Sequence, residues 1–380
     1  MKILNYTEKH DAYREALRCF LQAEVVPEIE ACETSHITPR SMWRAMGKNG
    51  FLCPTAPKKY GGQGLDFLYS VIVWEELSKI NFTGLAAPLH SDIVVPYILS
   101  FGTERQKQTY IPGCVSGETI TAVAMTEPDA GSDVAAMGTT ATDQGDEIII
   151  NGSKTFISNG ANCDLVVLAA RNPDVDERHK AISLYLVEAE TPGFTKGLPF
   201  EKMGWASQDT AELFFSDCRI PAENRLGEAG GGFVMLMQKL QQERLVCAVS
   251  ALANSETILA ETLDRCKSVS HNGKPLSKSQ SNQFALVEMA TELQILRSFT
   301  DATVYDHMAG EQIIKETSMA KYWNTEMSKR IASRCLDILG SDAATEASPL
   351  VRQFRDARVT SIFAGTNEIM KSIIGKTMGL

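Results

Sequence analysis

The amino-acid sequence predicts an α+β protein in which a β-rich segment lies between two helical segments. In the first 120 residues and again after residue 233, apolar side chains recur at three- and four-residue steps, which is typical of amphipathic helices. From about residue 121 the pattern changes to short apolar runs separated by polar turns, which indicates strands. The order helix, β, helix predicts three domains, at 1–120, 121–232 and 233–380.

Two helices are predicted in the first segment. Apolar residues such as Leu17, Leu21 and Val25 define a helix over about residues 11–30. A turn-rich stretch at 54–64 (PTAPKKYGGQG) separates it from a second apolar helix that begins at Phe67.

The middle segment begins with the clearest strand pattern in the chain. Residues 147–160 predict a strand, a tight turn at Asn151 and Gly152, and a second strand. Glycines 230–232 predict a flexible joint at the end of this segment. Further strands are expected at 165–169, 182–188 and 211–215. Long helices are expected beyond the joint, at about 233–267, 280–309, 312–340 and from 349.

Composition narrows the class of protein. With 380 residues, 44% hydrophobic and 22% charged, the chain is typical of a soluble globular protein larger than one ordinary domain. The formal net charge is -10 and no dense Lys/Arg run occurs. Nucleic-acid binding is therefore not expected, because phosphate neutralisation requires clustered cations.

The sequence predicts a cytoplasmic protein with no membrane span and no metal. The chain contains no apolar run of eighteen residues, and its first residues lack the apolar core of a signal peptide. Nine cysteines are scattered without a C-x-x-C pair, which favours reduced and mostly buried thiols. The six histidines are equally dispersed and show no metal-ligand spacing.

Three short motifs carry the chemistry. Residues 125–134 (MTEPDAGSDV) combine hydroxyls with small residues that let the backbone approach a flat ligand. Residues 154–160 (KTFISNG) and 363–369 (FAGTNEI) are the other two. In sequence and order these motifs resemble the signatures of the acyl-CoA dehydrogenase family, with TEP-x-AGSD matched at every fixed position.

This resemblance implies an N-terminal α-helical domain, a middle β-barrel-like domain and a C-terminal four-helix-bundle domain. It also implies an FAD-dependent dehydrogenase that converts an acyl-CoA to a trans-2-enoyl-CoA and passes electrons to an electron-transfer flavoprotein. Members of the family are commonly homodimers or homotetramers with FAD at the subunit boundary.

The resemblance also implies site residues. Those implied for FAD binding are Met125, Thr126, Gly131, Ser132, Phe156, Ser158, Asp337, Gly340, Thr366 and Glu368. Those implied for substrate binding are Ser132, Arg244, Ala364 and Gly365.

Ala364 stands where most family members carry the catalytic glutamate. A branch that resembles the long-chain and isovaleryl enzymes places this base on an earlier helix, and Glu243 in the stretch QQERLV matches that position. A carboxylate in a water-poor cleft has the raised pKa that a general base requires. We therefore expect Glu243 to remove the substrate α-proton, while the main-chain N–H of Ala364 still polarises the thioester carbonyl.

Three positions depart from the family pattern around FAD. Val269 replaces an arginine that pairs with the pyrophosphate from a neighbouring subunit, Asn272 replaces an aromatic residue, and Asp337 replaces a glutamine near the adenosine. Loss of a bidentate phosphate partner predicts weaker FAD retention or a rearranged contact between subunits. Lys267, His271 and Lys274 are nearby cations that could compensate in part.

Other functions are consistent with the same sequence. The substrate could be an acyl group on the phosphopantetheine of a carrier protein, since Gln241 replaces an aspartate that often contacts pantetheine in the family. A degenerate member could bind an acyl thioester without redox chemistry. A flavin-dependent lyase or oxidase on the same fold is a further alternative.

Overall fold

The computed structural model describes residues 3–345 and 348–380, and in its first part, as far as Ser116, helices are joined by turns and loops. The six α-helices of this part are α1 Glu8–Phe20, α2 Ile29–Ser35, α3 Arg40–Lys48, α4 Phe67–Lys79, α5 Val95–Phe101 and α6 Glu104–Ser116. Helix α4 is buried along most of its length and forms the centre of this part. A π-helical segment, Leu89–Val94, leads directly into α5.

The helix predicted over residues 11–30 is interrupted. After α1 the chain forms a π-helical turn, Leu21–Val25, and a 3₁₀ turn, Val26–Glu28, before α2 begins. Pro27 lies in the 3₁₀ turn. Because proline lacks an N–H donor and its ring displaces the preceding turn, a regular α-helix cannot continue through this position.

Eight strands form the sheet of the middle part. In the order β6-β7-β3-β2-β4-β5-β8 each strand is hydrogen-bonded to the next, and β1 pairs with β4. The strands are β1 Thr121–Ala124, β2 Thr140–Gln144, β3 Glu147–Ile157, β4 Leu165–Arg171, β5 Ile182–Glu188, β6 Phe194–Lys196, β7 Ala211–Pro221 and β8 Arg225–Leu226. A short helix, α7 Arg178–Ala181, precedes β5.

The tight turn predicted at Asn151 and Gly152 is wrong. Strand β3 runs through both residues, and its pairing with β7 is shifted by a bulge between Ile150 and Gly152. The turn that closes the β2–β3 hairpin lies earlier, between the paired residues Gln144 and Glu147. An Asn-Gly dipeptide thus marks a bulge here, because β7 pairs with β3 on both sides of it.

Long helices follow the sheet, close to the predicted ranges. They are α8 Gly232–Ser268, α9 Gln280–Met308, α10 Ile314–Leu339, α11 Pro349–Thr360 and α12 Asn367–Thr377. A small hairpin of β9 Ser270–His271 and β10 Lys274–Pro275 separates α8 from α9. Within the described ranges no helix is long and apolar enough to cross a membrane.

Gly232 is required by a close approach at the start of α8. A Cβ atom at this position would lie 2.8 Å from the carbonyl oxygen of Ile182, at the start of β5. The glycines predicted as a joint therefore allow α8 to begin against the sheet. Gly230, with φ +73°, supplies the left-handed turn that precedes it.

A network of charges ties the N-terminal helices to the C-terminal ones. The carboxylate of Glu75 on α4 is 2.8 Å from Arg14 on α1 and 2.8 Å from Arg297 on α9. Arg297 also pairs with Glu256 on α8 at 2.5 Å. These partly buried pairs fix α4 relative to α8, the helix that carries Glu243.

Candidate active site

Glu243 lies on the buried face of α8, where its side chain meets the N-terminal helices. The residue is 3% exposed. The hydroxyl of Tyr97 on α5 donates a 2.7 Å hydrogen bond to its Oε1 atom. In the part of the chain that the structure describes, no protein donor reaches Oε2. One carboxylate oxygen is therefore held while the other is free to accept a proton.

Burial moves the pKa of the Glu243 carboxyl group into the range that suits a general base. It raises the pKa of Glu243 to about 7, against the opposing effects of the Tyr97 hydrogen bond and the positive charges of Arg244 and Lys239. Burial likewise lowers the pKa of Arg244, although the Glu243 carboxylate opposes that shift. A group that titrates near neutrality is suited to general-base chemistry.

The residues next to Glu243 hold the surrounding helices. Gln242 donates to the carbonyl oxygen of Asp92 in the π-helical segment at 2.7 Å. Gln241 accepts from the N–H of Ile313 at 2.9 Å and bonds the ring of His307 at 3.2 Å. The Gln241 amide is thus engaged by the α9–α10 connection.

The loop between α11 and α12 presents two main-chain N–H groups. Ala364 has a φ of +51° and Gly365 a φ of +85°, so two successive residues adopt the left-handed region. No protein acceptor for either N–H is present in the described residues. The ammonium of Lys321 on α10 donates to the Gly365 carbonyl oxygen at 2.6 Å, and this bond holds the turn against α10.

Lys321 links the loop to the helix that carries Glu243. Its side chain is fully buried, and burial lowers its pKa to about 8, against the opposing effect of Cys247 on α8. Arg244 on the same helix donates weakly to Ser318 on α10, at 3.4 Å. Glu243, Arg244, Ala364 and Gly365 are therefore brought to one region by the packing of α8 against α10.

A second group of predicted residues lies at the edge of the sheet. The N–H of Thr155 donates to the Thr126 carbonyl oxygen at 2.9 Å, which joins the two sequence motifs. The ammonium of Lys154 bonds the Met125 carbonyl oxygen at 3.1 Å and the Glu127 carboxylate at 2.7 Å. Lys154 is fully buried and Glu127 is 8% exposed, so a buried ion pair fixes this junction.

Phe156 is presented to solvent by a bulge. The residue has a φ of +56°, lies where the β3–β7 register shifts, and is 66% exposed. Its ring packs against the Phe200 ring, with centroids 5.4 Å apart. Ser158 and Ser132 have no protein hydrogen bond among the described residues. An exposed aromatic ring with free hydroxyls nearby is suited to binding a flat polar ligand.

Aromatic packing brings the sheet edge against the α11–α12 loop. The rings of Trp205, after β6, and Phe363 lie edge to face with centroids 5.1 Å apart. The Trp205 N–H donates to the buried carboxylate of Asp356 on α11. The sheet edge and the Ala364 turn therefore lie against each other.

Thr366 and Glu368 line a charged groove of about 580 Å³ beside this turn. Thr366 caps α12 by accepting the Ile369 N–H at 3.2 Å, and Glu368 is exposed in the first turn. The charged side chains that line the groove include the cations Lys329, Arg330, Arg358 and Lys371 and the acids Glu326 and Glu368. Their positive excess suits an anionic ligand.

The remaining predicted residues lie at another end of the molecule. Asp337 and Gly340 end α10, roughly 24 Å along the helix from Lys321. Val269 caps α8, and Asn272 with Gly273 turns the β9–β10 hairpin, both with positive φ. Within one chain these residues are not brought to Glu243.

Comparison with known proteins identifies the family. Three family models together match nearly the whole chain: the acyl-CoA dehydrogenase N-terminal domain over residues 7–118, the middle domain over 122–218 and the C-terminal domain over 230–379. The chain belongs to the acyl-CoA dehydrogenase family. This confirms the predicted fold class, with its N-terminal helical, middle β and C-terminal helical domains.

Individual acyl-CoA dehydrogenases are similar over almost their full length. The rat mitochondrial long-chain specific acyl-CoA dehydrogenase is 41% identical over 372 residues, which cover 98% of this chain and 86% of the rat protein. The crystal structure of an acyl-CoA dehydrogenase from Geobacillus kaustophilus has a TM-score of 0.97 and 49% identity and covers 99% of each chain. The chain is thus an oxidoreductase of a family of flavoproteins.

One solved relative has a different acyl carrier in its name. The prolyl acyl carrier protein oxidase AnaB has a TM-score of 0.91 and is 28% identical, covering 99% of this chain and 100% of the other. A relative with this fold is thus named for an acyl carrier protein, and this is relevant to whether CoA or a carrier protein holds the acyl group of the substrate.

Sequence reasoning missed three residues of the site. Tyr97 lies in an apolar helix with no motif to mark it. Lys321 looks like a surface lysine, although it is fully buried. Lys154 lies inside a quoted motif but received no role, and its partner Glu127 lies 27 residues earlier. A buried lysine is identified only when the structure shows what it bonds.

Proposed function

We propose that this acyl-CoA dehydrogenase catalyses FAD-dependent α,β-dehydrogenation of an acyl thioester, with Glu243 as the base. The observation that carries the proposal is the buried Glu243 carboxylate, which has a pKa of about 7, one oxygen held by Tyr97 and the other without a donor among the described residues. Ala364 cannot accept a proton, and it lies in the same region of the fold.

The residues of the chain supply proton removal and charge stabilisation. Oε2 of Glu243 takes the α-proton, and the electron pair of the broken α C–H bond forms the Cα–Cβ double bond. The free main-chain N–H of Ala364 donates to the thioester carbonyl oxygen, where negative charge develops. Bound FAD would supply the acceptor for the β-hydrogen, which would leave with its electron pair as hydride, so that the organic product would be a trans-2-enoyl thioester.

The residues present fit the flavin. Phe156 offers an exposed ring, and Met125, Thr126, Ser132 and Ser158 lie on segments of the same sheet edge. Thr366 and Glu368 line the groove with excess positive charge, which suits the pyrophosphate of FAD. We further propose that Gly131 lies beside the cofactor, and that Asp337 and Gly340 contact the FAD of a neighbouring subunit in a homodimer or homotetramer.

We propose CoA as the carrier of the acyl group and an electron-transfer flavoprotein as the electron acceptor. The similarity to the long-chain specific acyl-CoA dehydrogenase of the rat supports CoA, and we assign Arg244 and Ser132 to the thioester arm. The AnaB relative favours the second candidate, an acyl group on a carrier protein. A panel of straight, branched and aromatic acyl groups, each on CoA and on carrier protein, distinguishes the two carriers.

Anaerobic titration of the purified flavoprotein tests the proposed reaction. Acyl-CoA is expected to bleach the flavin absorbance in stoichiometric amount and to yield the enoyl thioester. Subsequent exposure to oxygen is expected to restore the flavin absorbance slowly, since a dehydrogenase reacts poorly with oxygen. The reduced flavin of an oxidase would be reoxidised at once. A member without redox chemistry would bind the thioester and leave the absorbance unbleached.

Ala364→Glu is expected to add a second carboxylate without replacing Glu243. The Ala364 main-chain N–H remains, so the variant should keep measurable turnover with the wild-type product. The new carboxylate would approach the substrate from the α11–α12 loop, whereas Glu243 lies on α8, so we expect the preferred acyl chain length to change. The measurement is kcat/KM across straight-chain acyl-CoA substrates. Ala364→Gln is the matched control, because it adds the same volume without a base.

Val269→Arg is expected to tighten FAD binding. Val269 and the nearby Asn272 occupy positions where related sequences have an arginine and an aromatic residue. A restored guanidinium could pair with a pyrophosphate in bidentate geometry, and we expect the FAD dissociation constant to fall about tenfold. Flavin retained after extended dialysis is the readout, and Val269→Leu is the control. Equal retention by both variants and the wild type would contradict the proposed contact.

A further inference from the structure

Tyr97 bonds the proposed base from a different domain. Its side chain is fully buried on α5, and among the described residues the one hydrogen-bond partner of its hydroxyl is Glu243 Oε1, at 2.7 Å. Since a buried hydroxyl needs a partner, this contact is obligatory for the folded protein. The nearest aromatic ring, that of Phe101, has its centroid 6.3 Å away.

We propose that Tyr97 is a positioning residue for Glu243, one that holds Oε1, orients the carboxylate and favours its ionised form. The Tyr97 hydroxyl can only donate to the ionised carboxylate, so it occupies Oε1 and leaves Oε2 for the substrate α-proton. This inference rests on the proposed role of Glu243 as the base. It adds a residue that the family motifs do not mark.

The other charges on α8 have a smaller effect on Glu243. Burial is the largest influence and raises its pKa; the Tyr97 hydrogen bond comes next and lowers it, ahead of Arg244 and Lys239. Cys247, one turn further along α8, has a pKa raised by burial to about 11 and is therefore neutral. Loss of the Tyr97 hydroxyl should thus raise the pKa of Glu243 more than loss of either cation.

Groups on the neighbouring helices do not replace Tyr97. The Asp92 carboxylate in the π-helical segment is bonded by Ser70 at 2.6 Å and Trp74 at 2.7 Å. His307 on α9 bonds Gln241, and burial lowers its pKa to about 4, so its ring is neutral near pH 7. Lys321 on α10 is engaged by the Gly365 carbonyl oxygen.

Tyr97→Phe tests the proposal in the holoenzyme, because only the hydroxyl is removed. We expect the acidic limb of the kcat/KM–pH profile to move up by about one pH unit, since hydrogen bonds to an ionised carboxylate are worth about that much. At pH 6 the variant should be about tenfold slower than the wild type. Above both pKa values the difference should be less than about threefold.

Tyr110→Phe is the matched control. It removes another hydroxyl that donates to a glutamate, Glu188, at 2.8 Å on the surface between α6 and β5. Its pH profile should equal that of the wild type. A Tyr97→Phe limb at the wild-type position would overturn the proposal, whatever the loss of activity, because a purely structural role slows the enzyme at every pH.

Difference infrared spectroscopy provides a readout that needs no turnover. The carboxylic C=O band that disappears in Glu243→Gln belongs to Glu243, and its titration midpoint should be higher in Tyr97→Phe than in the wild type. If Glu243→Gln turns over normally, the proposed function fails. If Glu243→Gln is inactive but the midpoint in Tyr97→Phe is unchanged, only the role of Tyr97 fails.

Discussion

Glu243→Gln is expected to lower kcat, and with it the rate at which substrate bleaches the flavin, about 10³-fold, since general-base catalysis contributes on that scale. The amide is isosteric and can still accept the Tyr97 hydrogen bond, so the fold and the flavin should be retained. The measurement is anaerobic stopped-flow reduction at 450 nm. Near wild-type reduction by the variant would show that another group is the base.

Glu261→Gln is the matched control for this variant. Glu261 lies on the same helix, and burial raises its pKa as it does for Glu243. It lies 18 positions further along α8, roughly 27 Å away, so its replacement should leave the reduction rate unchanged. A loss in both variants would indicate damage to α8 instead of loss of a base.

Glu243→Gln should also stabilise the protein at high pH. The pKa of Glu243 is raised from 4.5 to about 7 in the folded state, so the folded protein holds this proton more tightly than the unfolded chain. Stability therefore falls as pH rises from about 4.5 to 7, and the full cost, on the order of 3 kcal/mol, applies above pH 7. Glu243→Gln should have a higher Tm than the wild type at pH 8 and a smaller difference at pH 5.

The long helices were predictable because their apolar periodicity continues for many turns. Helix α8 was expected at about 233–267 and is observed at Gly232–Ser268. The Asn-Gly dipeptides show where such local patterns fail. At residues 272–273 the dipeptide turns a hairpin, whereas at 151–152 it lies in a strand bulge, because long-range pairing with β7 decides the second case.

The site was also only partly predictable, because contacts between residues far apart in sequence decide its geometry. Glu243 was predicted from its place in a motif, but its protonation depends on burial by helices that the motif does not contain. Tyr97 is 146 residues away in sequence and carries no local signal. Contacts of this range follow from packing between domains, which a pattern of neighbouring residues does not encode.

Lys154→Met is expected to destabilise the protein by about 3–5 kcal/mol and to weaken flavin binding at least about tenfold. Removing the ammonium leaves the Glu127 carboxylate buried without its cation, which costs far more than an exposed pair. The Gly138 and Thr139 N–H groups still donate to Glu127, but they carry no charge. The Met125 carbonyl oxygen also loses its partner, so the junction between the two flavin-side segments loosens.

A second substitution distinguishes the ion pair from a general loss of packing. Glu127→Gln removes the uncompensated charge, so Lys154→Met combined with Glu127→Gln should recover most of the stability lost by Lys154→Met alone. Lys196→Met is the matched control, because Lys196 donates to a carbonyl oxygen in the same domain, that of Cys163, without a carboxylate partner. Guanidinium midpoints and FAD dissociation constants are the measurements. If the double variant is no more stable than Lys154→Met, buried charge is not the cause, and the junction depends on the length of the lysine side chain and its bond to Met125.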